Sequence, residues 1–91
     1  MDFEWDKHKN RSNITKHGID FSDAHDIFKY PMLIKEDIRS EYGEQRWISI
    51  GLLKDIVVVL IFTIRREKIR IISIRKANQK ERDIYNEKIR K

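Results

Sequence analysis

The 91-residue chain has no cysteine, one proline and only three glycines. Without cysteine there is no disulfide, no thiolate metal ligand and no thiol nucleophile. Gly18, Gly43 and Gly51 lie too far apart for a glycine-rich phosphate loop, so ATP and nicotinamide chemistry of the familiar kinds is not expected. No Ser/His/Asp order suggests a hydrolytic triad. The longest apolar run, Ile56 to Phe62, is seven residues, where a spanning helix needs about twenty. No repeat, Ser/Gly linker or low-complexity tract divides the sequence, which reads as a single domain over residues 1–91. The opening Met-Asp-Phe-Glu-Trp lacks the basic start and apolar core of a secretion signal, so a cytoplasmic protein is expected, and no membrane partner.

Charge is what the chain has in quantity: 38% of its residues, with a net of +5. The excess is lopsided. Residues 1–64 hold nine basic and eleven acidic side chains, a net of −2, and residues 65–91 hold eleven and four, a net of +7. A basic third of this kind draws in polyanions and speeds their encounter, and an acidic protein would answer as well as nucleic acid. Three classes stay open: an enzyme acting on nucleic acid, a non-catalytic nucleic-acid binder, and an interaction protein.

Asp6 is placed to cap a helix from Lys7 to about Lys16, with Gly18 as its stop. This helix is polar almost all round, so it belongs on the surface, with Phe3 and Trp5 ahead of it as an anchor. A second helix, capped by Asp20 or Ser22, runs to about Tyr30 and buries Ala24, Ile27 and Phe28 on one face. After Pro31 the period changes, and four strands are predicted: Met32 to Arg39, Gln45 to Leu53, Asp55 to Arg65, and Lys68 to Lys76. The short connections at Lys54-Asp55 and Arg66-Glu67 make the last three strands antiparallel neighbours. Asn78-Gln79-Lys80-Glu81 opens a last helix whose thin apolar stripe holds it weakly to its own domain, leaving it either to pack against a partner or to fray. The fold class is α+β, in the order α-α-β-β-β-β-α, with a four-stranded antiparallel sheet.

Strand interiors are almost wholly aliphatic, so the polar residues at strand ends carry the functional information. These are Glu44 and Arg46, Thr63 and Arg65, and Arg70, Ser73 and Arg75. Residues two apart share a face. A two-residue turn at Arg66-Glu67 puts Thr63 opposite Arg70; a three-residue turn brings Ser73 and Arg75 onto that face instead, and the sequence leaves both open. Either way several guanidiniums come from adjacent strands, in a fixed fork suited to bidentate phosphate contact. The plainer alternative is surface ion pairs, Glu44–Arg46 and Arg65–Glu67 among them. Arg66, Lys68 and Lys76 add further cations for nucleic acid. The three histidines show no metal-ligand spacing. His17, in the last turn of the first helix, fits the helix dipole, and an imidazole also suits acid–base work.

These motifs resemble the BrnT family. The resemblance is carried by Phe3-Glu4-Trp5-Asp6, Asn13, Lys16-His17-Gly18-Ile19, Phe21 and Ala24. It continues through Tyr42-Gly43-Glu44-x-Arg46-Trp47, Thr63-x-Arg65, Ile69-Arg70-Ile71-Ile72-Ser73-x-Arg75, Ala77, Glu81, Arg82 and Tyr85. One departure is Ile74, where the family usually has alanine. The resemblance implies a toxin of a bacterial type II toxin–antitoxin pair with a RelE-like fold. It implies an endoribonuclease that blocks translation without metal or other cofactor, neutralised by a BrnA-like antitoxin through which alone the toxin meets operon DNA. In that mechanism the RNA 2′-OH is the nucleophile, and Arg46, Arg65, Arg70 and Arg75 neutralise the phosphate. Glu44 or His17 is the base and Lys9, His17 or Tyr85 the acid; Glu44 beside Arg46 also suits orienting the arginine.

Overall fold

Asp6 and Gly18 delimit the first helix in the computed structural model, which describes residues 2–90. The Asp6 carboxylate accepts from the backbone N–H groups of His8 and Lys9, and Gly18 closes α1 (Lys7–His17) at φ 70°. That left-handed geometry is one that glycine adopts without strain. The expected second helix is shorter than its apolar spacing suggests: a 3₁₀ turn over Phe21–Asp23 leads into the single turn of α2 (Ala24–Ile27). Strands β2 (Leu33–Glu36), β3 (Trp47–Leu53), β4 (Ile56–Arg65) and β5 (Lys68–Lys76) follow, then α3 (Gln79–Lys88) with its capping box of Asn78 and Glu81.

The sheet has one strand more than expected. Phe3–Trp5 forms β1, which pairs parallel to β5 through Phe3–Ile69, Glu4–Arg70 and Trp5–Ile71. The order is β1-β5-β4-β3-β2, a five-stranded mixed sheet. The four-stranded antiparallel, RelE-like arrangement is therefore met only in part. Three residues are too few to show a period, and their pairing depends on a strand more than sixty positions away. β1 is thus a tertiary feature rather than a local one.

Each face of the sheet has its own core. On one side Val58, Leu60, Phe62, Ile69, Ile71 and Ile74 pack against Phe21, Ala24 and Ile27. Gly51 is required there, because a β-carbon on it would come within 2.9 Å of Ile27. On the other side α3 lays Tyr85 and Ile89 over Val57, Val59, Ile48, Ile50 and Leu52. With only ten residues, α3 covers one end of that second face. The remainder is where the polar strand residues emerge.

A bulge decides which of them emerge together. The Arg66-Glu67 turn has two residues, at φ 49° and 66°, so Arg65 pairs with Lys68 and Thr63 with Arg70. Further along, Phe62 pairs with Ile71 but Ile61 pairs with Ser73. Ile72 is the extra residue of a β-bulge, and it shifts the alternation of β5 by one. Arg70, Ser73 and Arg75 consequently share the α3 face with Thr63 and Arg65. The two registers that the sequence leaves as alternatives both hold, one on each side of Ile72.

Candidate nucleic-acid interface

Three arginines stand close together on the open end of that face. Arg70 lies opposite Thr63 on β4, and Arg46 immediately precedes β3, one position before the Trp47–Phe62 pair. Strand spacing puts the Arg46 and Arg70 backbones about 10 Å apart, with buried Thr63 between them donating to the Gln45 carbonyl at 2.6 Å. Arg65 is on the same face of β4, two residues further on. Arg75 stands apart, four ladder pairs from Arg70 and about 14 Å along the strand, at the start of α3.

Every guanidinium in this group has a carboxylate partner. Glu44 accepts both forks of Arg65, from Nε at 2.9 Å and Nη2 at 3.0 Å. Glu4, arriving on β1, holds Arg70 at 3.1 Å. Glu81 grips Arg75 through two bonds of 2.8 Å, and Arg75 keeps the Glu81 carboxyl below the usual range. Of the surface ion pairs weighed as the alternative, Glu44–Arg46 is present, at 3.6 Å, whereas Arg65 pairs with Glu44 rather than neighbouring Glu67 and Glu81 pairs with Arg75 rather than Arg82. Pairing does not exclude ligand binding, because a carboxylate that orients a fork leaves its outer N–H groups free for phosphate.

Arg46 differs from the rest. Its Nε is 3.6 Å from Glu44, too long for a hydrogen bond, and is buried without a hydrogen-bond partner among the described residues. Its guanidinium carbon lies 4.3 Å from the centroid of the Tyr42 ring. A buried unpaired donor on a charged group is costly unless something completes it. Arg46 is therefore the least firmly engaged of the four guanidiniums.

Behind Arg46 is a network that the sequence patterns do not reveal. Asp37, nearly fully buried, accepts from Arg39 Nε at 2.7 Å and Nη2 at 2.8 Å and from the Tyr42 hydroxyl at 3.2 Å. It thereby fixes the ring on which Arg46 rests. Arg39 adds a fifth guanidinium, whose charge reaches both Arg75 and Glu81. The only signal in the sequence is Asp37-x-Arg39, hidden at the end of a strand that was expected to run through it. Arg39 holds the Asp37 carboxyl down at about 2. A carboxyl lowered in the fold stabilises it above the unfolded pKa, near 3.8, and that stability fades as pH falls toward 2. Asp37→Asn should cost about 1 kcal/mol at neutral pH, discounted because Arg39 is largely exposed. Its melting temperature should trail wild type above pH 5 and converge with it near pH 2 in a thermal series.

The remaining candidates are placed as follows. Lys9 and His17 line a shallow depression with Lys16, Ile72 and Ser73 at the free edge of β5. Ser73 links that depression to the arginine face, but neither Lys9 nor His17 bonds to an arginine partner among the described residues. Lys68 pairs with Arg65 at the turn, and Arg66 is exposed beside it. Lys76 lies at the far end of β5 opposite Val58, away from the group. Tyr85 is not brought to the arginines at all. It is 1% exposed in the core under α3, donating to the Pro31 carbonyl at 3.2 Å. The sequence pattern of a thin helical stripe already marks it as a packing residue.

No helix is long and apolar enough to cross a membrane among the described residues. No curated protein matches the chain at a significant level. A family model described as "Ribonuclease toxin, BrnT, of type II toxin-antitoxin system" matches residues 5–81, from β1 to the first turn of α3, and so spans every arginine of the interface. With that match over most of its length, and the arginine face inside it, the chain belongs to the BrnT family of type II toxin–antitoxin ribonuclease toxins.

Proposed function

We propose that the chain is a metal-independent endoribonuclease that cuts single-stranded RNA through the RNA's own 2′-OH. The observation that carries this reading is the placement of Arg46, Arg65 and Arg70 on one open end of a rigid sheet, with Arg46 held by no hydrogen bond at Nε among the described residues. Removal of the 2′-OH proton lets the oxygen attack the adjacent phosphorus. The resulting phosphorane gathers negative charge where preorganised guanidiniums stand, and little reorganisation is then needed. The P–O5′ bond breaks, the departing oxygen takes a proton, and a 2′,3′-cyclic phosphate remains. Glu44, engaged by Arg65 and Arg46, serves to orient those forks. His17 and Lys9, across Ser73, are the groups proposed to move the protons.

The wider reading is that cleavage stops translation in the cytoplasm until a BrnA-like antitoxin binds the toxin. Operon DNA is contacted through that antitoxin. Purified protein incubated with single-stranded RNA and excess EDTA should yield fragments ending in cyclic phosphate, detected by mass spectrometry. Cleavage that appears only when divalent metal is added would overturn the mechanism. Intact RNA retained with a steep salt dependence would instead favour a non-catalytic binder.

A further inference from the structure

The half of the face that α3 does cover is covered incompletely. Between α3 and strands β2 and β3 runs a groove of about 430 Å³. Leu33, Ile48 and Ile50 form its floor and Ile84 its wall, so the surface is apolar along its length. Its rim is cationic: Lys35 on β2 and Lys80 and Lys88 on α3 all line it. None of these lysines forms an ion pair among the described residues. The one acidic residue in the lining, Glu81, is already committed to Arg75 and to the Asn78 N–H.

We propose that this groove receives an acidic amphipathic helix of the antitoxin, lying beside α3 over β2 and β3. This rests on the toxin–antitoxin reading and adds the place and chemistry of contact. An apolar floor with three unneutralised cations at its rim complements a helix carrying leucine-like residues on one stripe and carboxylates beside it. RNA fits poorly, since its phosphates would lie over apolar side chains with no donors beneath them. A strand added to the free edge of β2 would extend the sheet sideways and leave the floor exposed. α3 is about 15 Å long, which sets the occupant at roughly three turns. The Glu81 end of the groove borders Arg75, so a helix seated there reaches the rim of the arginine face.

The test uses the full chain, ¹⁵N-labelled, and a synthetic helical peptide with leucines at i, i+3, i+4 and i+7 and glutamates flanking them. The expected result is chemical-shift change centred on Leu33, Ile48, Ile50 and Ile84. Affinity should weaken at least tenfold in Lys80→Glu/Lys88→Glu, and also in Lys35→Glu, which leaves α3 untouched. A scrambled peptide of equal composition that binds as well would overturn the proposal, because charge alone would then explain binding. Changes confined to the β2 edge, or centred on Arg46 and Arg70, would overturn it too. RNA cleavage is read separately on the same samples. An inactive protein that still binds the peptide in the groove counts against the nuclease and leaves the groove assignment standing.

Discussion

Arg46→Ala is expected to slow RNA cleavage by about 10²–10³-fold while the protein still folds. The expectation follows from what Arg46 lacks. Arg65, Arg70 and Arg75 each have hydrogen bonds to a carboxylate, whereas Arg46 has a long ion pair, an aromatic ring and a buried Nε that forms no hydrogen bond among the described residues. Removing it therefore breaks few native contacts. Its contribution to stability should be about 1 kcal/mol, or a shift of roughly 4–8 °C in the melting temperature. Arg46→Lys should recover little, because an ammonium cannot present a planar fork from the same stem. Single-turnover cleavage and thermal melts on the same preparations separate the outcomes. A collapse in melting temperature with no specific loss in rate would make Arg46 a structural residue. Arg75→Ala is the internal comparison: four ladder pairs beyond Arg70 and clamped by Glu81, it should affect cleavage less than Arg46→Ala does.

Much of this arrangement is legible in the sequence, and the gaps have physical causes. The caps at Asp6 and Gly18, the capping box at Asn78 and the hairpins flanking β4 depend on neighbouring residues, and all stand where local chemistry puts them. β1 depends on a partner that local patterns cannot see. The bulge at Ile72 lies between these cases, since a trace of it is present. The polar residues of β5 fall at an even position, Arg70, and then at odd ones, Ser73 and Arg75, with two isoleucines adjacent between them at 71 and 72. That change of parity inside one strand marks an inserted residue, and it would have joined Arg70 to Arg75 without coordinates. The Asp37–Arg39–Tyr42 network leaves only the Asp37-x-Arg39 spacing as a trace, because it is built in the loop after β2 rather than by a periodic element. Tyr85 shows the opposite error. A tyrosine in a family motif draws attention as an acid, while its helical stripe already places it in the core.

Asn13→Ala should cost about 3 kcal/mol, lowering the melting temperature by roughly 10–20 °C. β1 ends at Trp5, but β5 continues to Lys76, which leaves the outer backbone edge of β5 without a strand partner beyond Ile71. Asn13 fills part of that gap from α1. Its amide donates to the Ile74 carbonyl at 2.8 Å and accepts from the Ile74 N–H at 3.2 Å, as a further strand residue would. A second donation at 2.9 Å goes to the Ile19 carbonyl. Alanine leaves three buried backbone groups without partners, and desolvation makes each expensive. Asn13→Asp separates this account from a simple packing role. A carboxylate can accept from Ile74 but has nothing to donate to either carbonyl, so at neutral pH it should be no better than alanine. At acid pH the protonated group regains one donor, and the Asp variant should then be the more stable of the two. The same amide docks α1, which carries Lys9 and His17, against β5 beside Ser73. Below its melting temperature the Asn13→Ala protein should therefore bind RNA through an intact arginine face yet cleave it more slowly, which a binding titration and a single-turnover assay resolve. Equal loss of binding and cleavage would show that α1 matters only for the fold.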